Sequence, residues 1–258
     1  MTPQKTLSPR EMQLLEVLRQ FGGHARNAEI AEFLDVSDET VRRAVKSLSK
    51  MGVVARGHGG VRLLETRQQT GFFQRFSEFT KEKSKIAKAV AKAVPDGATV
   101  FLDVGSTTAI GAEELRVRHN LTVVTNSTKV AHELVEHNGN RVFLLGGEMR
   151  KDELGAFGFV AEAQARRYSY DVALLSADAL NSKYGFLYEN PVEAELASVV
   201  LERTSLALVA MVHQKFETAG RHQGFDPSQI GRLVTDVAPG KKLAAKLERW
   251  QIDVEVAE

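Results

Sequence analysis

Residues 36–63 read VSDETVRRAVKSLSKMGVVARGHGGVRL. Val41, Ala44, Val45 and Leu48 recur at helical spacing and predict one apolar helix face. Ser37 stands where an N-cap belongs. Thr40 follows three residues later, in place of the acid that would complete a capping box. Arg42, Arg43, Lys46 and Lys50 fall off the apolar face. The chain then passes through short apolar runs around His58-Gly59-Gly60, which predicts a two-stranded hairpin.

Two helices are predicted upstream. In SPREMQLLEVLRQFGG, Ser8 is placed to cap and Pro9 to open the first. Leu14, Leu15 and Leu18 form its stripe, and Gly22-Gly23 ends it. In NAEIAEFLD, Asn27 is the expected cap of the second, with Ile30, Ala31 and Leu34 inward. Two helices, a capped third and a basic hairpin make a winged helix-turn-helix, expected over residues 1–64. Its third helix suits a DNA major groove, with basic side chains on phosphates and N-terminal residues at base edges. The charge pattern alone describes a solvated helix face better. The order of elements decides for nucleic acid. The expected DNA contacts are Ser37, Glu39, Thr40, Arg42, Arg43 and Lys46 on the helix. Arg56, His58, Gly59, Gly60 and Arg62 are expected on the wing.

The chain as a whole is nearly neutral, at +1 over 258 residues, but unevenly so. Residues 1–70 carry 11 Lys+Arg against 8 Asp+Glu, and the remainder 23 against 25. A mildly basic head on a mildly acidic body suits a polyanionic partner for the head. There is no cysteine, which excludes disulfides, thiolate metal sites and a Cys nucleophile. The first thirty residues hold no signal-like apolar core, and no apolar run approaches the roughly 18 residues of a membrane span. A cytoplasmic protein without membrane contact is expected.

Residues 65–80 are read as a linker and 81–258 as an α/β domain. There, apolar runs (TVFLDVG, LTVVTN, RVFLLGG, DVALLSAD, LALVAMV, LVTD and VEVA) alternate with helical patterns. Runs apolar throughout predict a largely parallel sheet covered on both faces.

DVSDETVRRAVKSLSKMGVVARGHGGV resembles the DNA-binding signature of the DeoR family of bacterial transcriptional regulators. Val36, Ser37, Thr40, Arg42, Arg43, Leu48, Gly52, Arg56, His58, Gly59 and Gly60 carry the match. Ala44 departs from the usual Asp and Val61 from the usual Ala. The likeness continues through RFSEFTKEKSKIAKAVAKAVPDGATVFLDVGSTT, similar to the family's R…K-x-x-I-A linker and first strand. VVTNS, LLGGEMR, GAFG, YGFLYENPVEAE and LVTD then follow in family order. The resemblance implies a repressor of sugar or sugar-derivative catabolism, and no enzyme. It implies a phosphorylated sugar or related metabolite as effector, and assembly as a dimer or tetramer through the C-terminal domain. That domain would share the fold of ribose-5-phosphate isomerase and coenzyme A transferases.

DVGSTT ends a strand and opens a helix. Gly105 would allow a tight turn, and Ser106, Thr107 and Thr108 would offer hydroxyls beside free N–H groups at the helix's positive end. A plain capped turn is the alternative. Asp103, Asn126, Ser127, Gly146 and Gly147 end successive strands, where open α/β sheets hold ligands. Arg150, Glu193 and Lys215, each more often a surface charge, and Ser176 and Asp178, for which a structural turn is an equal alternative, complete the candidate effector site. In VAMVHQKF the family more often has Asp-x-x-Lys-Phe; here Val212 replaces the acid. That counts against an isomerase or hydrolase, which needs a placed acid or base. An architectural DNA binder with a silent pocket is a third reading. HELVEH is not H-E-x-x-H: His132 and His137 do not share a helix face. No metal and no cofactor is expected.

Overall fold

The structure, a computed structural model, describes residues 8–21, 24–51, 53–57, 60–63 and 71–258. The chain divides between Thr70 and Gly71 into two compact units.

The first unit opens with helix α1 (Pro9–Gln20). Ser8 Oγ accepts from Glu11 N–H, and the Glu11 carboxylate accepts from Ser8 N–H at 2.7 Å, a reciprocal cap. Strand β1 (His24–Arg26) follows, then α2 (Asn27–Phe33) and α3 (Asp38–Lys50). Asn27 was expected to cap α2, but it is the helix's first residue. The cap position is Arg26, whose N–H donates to Glu29 at 2.7 Å. Pairing of β1 draws Arg26 into extended backbone and moves the boundary back by one residue. Strands β2 (Val54–Gly57) and β3 (Gly60–Leu63) form the expected hairpin. β1 adds to it antiparallel, giving the order β1-β3-β2. Leu14, Leu18, Ile30, Val41, Val45, Leu48, Val54 and Val61 close one apolar core. The Gly22-Gly23 pair and Gly52 lie outside the described residues.

The second unit begins with α4 (Phe72–Ser77) and α5 (Thr80–Lys92), so residues 71–80 of the segment read as linker belong to it. Then come β4 (Thr99–Leu102), α6 (Ser106–Glu114), β5 (Thr122–Thr125), α7 (Thr128–Leu134) and β6 (Arg141–Leu144). A hairpin, β7 (Glu148–Arg150) and β8 (Gly155–Phe157), leads into α8 (Phe159–Ala165) and β9 (Tyr170–Leu175). After β10 (Ala179–Asn181) and β11 (Gly185–Tyr188) come α9 (Pro191–Leu201) and β12 (Thr204–Ala210). The chain finishes with β13 (His222–Gln223), β14 (Arg232–Thr235), α10 (Lys241–Arg249) and β15 (Asp253–Val256).

Seven strands form one parallel sheet in the order β15-β14-β12-β9-β4-β5-β6. These are the seven apolar runs read from the sequence. The central runs are apolar because both sheet faces are covered there, whereas the edge strands β6 and β15 admit Arg141, Asp253 and Glu255. Val100 and Leu102 pack with α5, α6 and α7, while Phe101 between them packs with α8, α9 and α10. The short strands β10, β11 and β13 make a separate antiparallel sheet.

The strand order fixes where a site can be. The chain starts the sheet at β4, winds outward to β6, then returns to β9 on β4's other side. Crossovers on the two sides leave in opposite directions, so a crevice opens beyond the carboxyl ends of β4 and β9.

Candidate functional site

In the first unit, α3 presents two chemically distinct sides. Val41, Ala44, Val45 and Leu48 are buried, and Arg42, Arg43, Lys46 and Lys50 are exposed. Ser37 caps the helix, its Oγ accepting from Thr40 N–H at 3.3 Å and lying 2.8 Å from Thr40 Oγ1. Arg42 pairs with Asp38 at 2.9 Å, and Arg43 with Glu39 at 3.0 Å. Both pairs are exposed and one turn apart, so each is weak enough to be exchanged for a phosphate. Ala44, the departure from the family's Asp, is buried with the core rather than set among the basic residues. Arg56 is exposed on β2, and Gly60 and Arg62 lie on β3. His58 and Gly59 lie outside the described residues.

In the second unit, residues from both sides of the crevice meet at Asp103. Its carboxylate, just past β4, accepts from Thr108 Oγ1 at 2.9 Å and from Ser176 N–H at 2.8 Å. Gly105 is needed for close approach, since a Cβ there would stand 2.5 Å from Ser176 Oγ. Burial pushes Asp103 up to about 7, against the pull of those donors and of Lys215. Glu193 is held well above the usual carboxylate range by burial and by the nearby charges of Glu153 and Asp178. Near neutral pH the crevice therefore holds carboxyl groups that can donate as well as accept.

Asp103, Asn126, Glu193, Phe101, Phe157 and Leu196 are among the residues lining a void of about 10 Å³, room for about one water molecule. Asn126 is fully buried; its Nδ2 donates to Ala156 O at 3.3 Å, and its Oδ1 has no partner. Lys215 Nζ donates to Ala177 O at 2.6 Å, and the hydroxyl of the buried Tyr188 to Ser176 O at 2.8 Å. Asp178 accepts from Glu189 N–H at 2.9 Å.

Other expected site residues have structural partners. Thr108 spends its hydroxyl on Asp103, and Ser127 caps α7 by accepting from Val130 N–H. Thr107 is buried in the first turn of α6. Gly146 donates its N–H to Gln164, Gly147 turns the chain into β7, and Arg150 ends that strand; none of the three lines the void. Val212 is 2% exposed within the apolar core. His213 beside it takes Asp236 as partner, with Nδ1 2.6 Å from Oδ2.

Three charged residues not foreseen as site residues complete the cluster. Arg75 on α4 makes a two-pronged pair with Glu153, one prong at 3.2 Å. Lys83 on α5 donates to Ser106 Oγ at 3.0 Å and to the carbonyl of Arg75. One signal for Lys83 was present. It occupies the same helical stripe as Ile86, Ala87 and Val90, where an outward lysine has no place.

Asp103 retains its proton to about 7, whereas an unfolded chain releases it near 4. Between those values the native state binds more protons, so this residue makes the fold less stable as pH rises through that window. Asp103→Asn is expected to reduce the slope of Tm against pH there. A slope equal to the wild type's would assign it to other groups.

Among the described residues no three His, Asp or Glu side chains are placed to hold a metal ion. No described helix is long and apolar enough to cross a membrane.

Comparison with known proteins agrees with this division of labour. Residues 10–67 match the DeoR-like helix-turn-helix domain and residues 78–237 the DeoR C terminal sensor domain. The chain is 31% identical over 249 residues to the HTH-type transcriptional repressor CsqR of Escherichia coli K12, covering 96% of this chain and 95% of that one. It is 27% identical over 247 residues to the glycerol-3-phosphate regulon repressor of the same organism, covering 96% and 98%. A ribose 5-phosphate isomerase from Methanocaldococcus jannaschii aligns over 53% of this chain and 54% of its own, at 17% identity and TM-score 0.39. The chain belongs to the DeoR family of transcriptional regulators, with the DNA-binding head and the sensor domain on one polypeptide.

Proposed function

We propose that this regulator represses genes of sugar or sugar-derivative catabolism. In this reading the exposed face of α3 binds operator DNA, and a phosphorylated sugar or related metabolite in the β4–β9 crevice controls that binding. The exposed basic face of α3, opposite a fully apolar one, carries the reading. Ser37, Glu39, Thr40, Arg42, Arg43 and Lys46 meet the major groove, and Arg56 and Arg62 meet the backbone beside it. The protein acts in the cytoplasm as a homo-oligomer, a dimer or tetramer, because paired half-sites require paired heads. The effector class is supported by the named target of one relative, the glycerol-3-phosphate regulon, and by the buried polar crevice. The reading is not enzymatic: the family's usual acid is replaced by a buried valine at 212.

Fluorescence anisotropy on DNA from upstream of the gene, at fixed salt, with a panel of free and phosphorylated sugars, tests this. Tight binding released by a phosphorylated compound is expected. Binding that no compound alters would leave a DNA binder without a sensor. In the same assay Arg42→Ala is expected to weaken binding by about 1–3 kcal/mol if it reads a base. Unchanged affinity would remove Arg42 from the contact surface.

A further inference from the structure

Lys83 is 3% exposed, and both partners of its ammonium are neutral oxygens. Among the described residues it forms no ion pair. A buried ammonium without a counterion is costly, and proteins keep such groups where something anionic completes them. Its surroundings add to the cost. Burial, together with the positive charges of Lys215 and Arg75, brings Lys83 down to about 8, although Glu78 and Glu82 pull the other way. Among the described residues Lys215 is anchored to a carbonyl. Three cations thus lie within electrostatic reach of one another, and one of them, Arg75, is directly paired with a carboxylate.

The ends of the crevice differ in kind. At one end stand Lys83 and Ser106, the latter opening α6, whose first N–H groups have no partner within the helix. At the other, Asn126, whose buried Oδ1 has no partner among the described residues, lines the void with Asp103 and Glu193. An amide oxygen needs a donor, and near-neutral carboxyls can both donate and accept. The first end suits a phosphate and the second a hydroxyl.

We propose that Lys83 and Arg75 hold the phosphate of the effector, and that Arg75 exchanges the carboxylate of Glu153 for the incoming anion. This rests on the reading of the crevice as a phosphorylated-effector site and adds the residues that select the charge. A guanidinium already set in a two-pronged pair with a carboxylate has the fork geometry that a phosphate needs. The void beside Asp103, at about 10 Å³, is too small for a sugar phosphate, so the site opens when the ligand enters. Separation of Arg75 from Glu153 frees the guanidinium for the anion.

The test uses the full chain and two probes, inorganic phosphate and glycerol 3-phosphate. Thermal stability is titrated with each against chloride at matched ionic strength. Wild type is expected to gain Tm with either probe. Lys83→Met is expected to lose the response, with apparent affinity down by at least about tenfold. It should fold, because a buried apolar chain replaces an uncompensated charge. Arg75→Gln alone strands Glu153, so the double variant Arg75→Gln/Glu153→Gln is measured beside it and is also expected to lose the response. Glu153→Gln is expected to bind phosphate more tightly than wild type, since Arg75 no longer has to leave a carboxylate. A purely structural ion pair gives no such gain.

Wild-type responses in both Lys83→Met and the double variant would overturn the proposal and leave the effector reading standing. So would Glu153→Gln binding no better than wild type. If wild type responds to neither probe and no phosphorylated sugar releases its DNA, the effector reading falls as well.

Discussion

Leu48→Ala is expected to abolish operator binding while leaving the sensor unit folded. Leu48 is fully buried, beneath the helix proposed to enter the groove. Truncating a leucine in a packed core costs about 2–5 kcal/mol, from lost transfer energy and from the cavity left behind. A head of this size has little to spare: below about 70–80 residues one apolar core rarely supplies more than about 3–5 kcal/mol. The substitution therefore removes most of the head's stability. The apolar clusters of the second unit share no residue with that of the head. Two thermal transitions should thus respond separately, the head's falling or vanishing and the sensor's staying in place. Anisotropy on operator DNA reads the functional half of the same result. Unaltered affinity together with an unaltered head transition would mean that α3 does not depend on this core.

Gly147→Ala is expected to destabilise the sensor unit by about 3 kcal/mol or more, lowering its Tm by roughly 6–12 °C. Two independent constraints meet there. The backbone sits at φ +138°, where a side chain is strained, and a Cβ would lie 2.3 Å from the carbonyl oxygen of Phe157. That oxygen belongs to β8, paired across the hairpin from β7, so it cannot rotate aside as a side chain would. Gly240→Ala is the matched control. It sits at φ −62° with nothing within 4 Å of the added carbon; alanine is a poorer N-cap for α10 than glycine, so the change should cost no more than about 1 kcal/mol. Equal melting of the two variants would contradict the geometry at Gly147. The sequence placed Gly147 on an effector rim, whereas the structure gives this glycine a backbone reason of its own.

Seven strands were legible because burial on both faces keeps the central runs apolar, and turn residues bound each run. Helix α3 was legible from its cap and its stripe together. β1, the β7–β8 hairpin and the β10–β11–β13 sheet were not. At two to four residues they carry too little periodicity, and β1 and β13 find their partners only across distant parts of the chain. The sequence also named Asp103, Asn126 and Ser176 for the candidate site; they sit at strand ends, where topology converts sequence position into proximity. The cationic side had to come from the structure. Arg75 and Lys83 reach the crevice from α4 and α5, and KEKSKIAKAVAK offers lysines at 81, 83, 85, 88 and 92 that composition cannot tell apart. The apolar stripe singles out Lys83 only when each position is tested for its helix face.

Helix α4 is six residues long, far below the roughly 12–15 at which a helix holds in water unaided. Its ties include the buried Phe72, whose N–H donates to Asp152 O, Lys129 over the ring of Phe76, the Arg75–Glu153 pair and the bond from Lys83 to the Arg75 carbonyl. It stands at the start of the second unit, on the path by which the polypeptide leaves for the head. A ligand that claims both Arg75 and Lys83 takes two of those ties together. The stretch would then spend its order: about 9 Å of helix, at 1.5 Å per residue, becomes up to about 20 Å of extended chain. Lengthening a tether dilutes what it carries: two heads paired on one operator, as proposed, would feel that as a lower effective concentration at the second half-site. On this account the proposed effector would act by slackening a leash, with every contact between α3 and the groove left as it was.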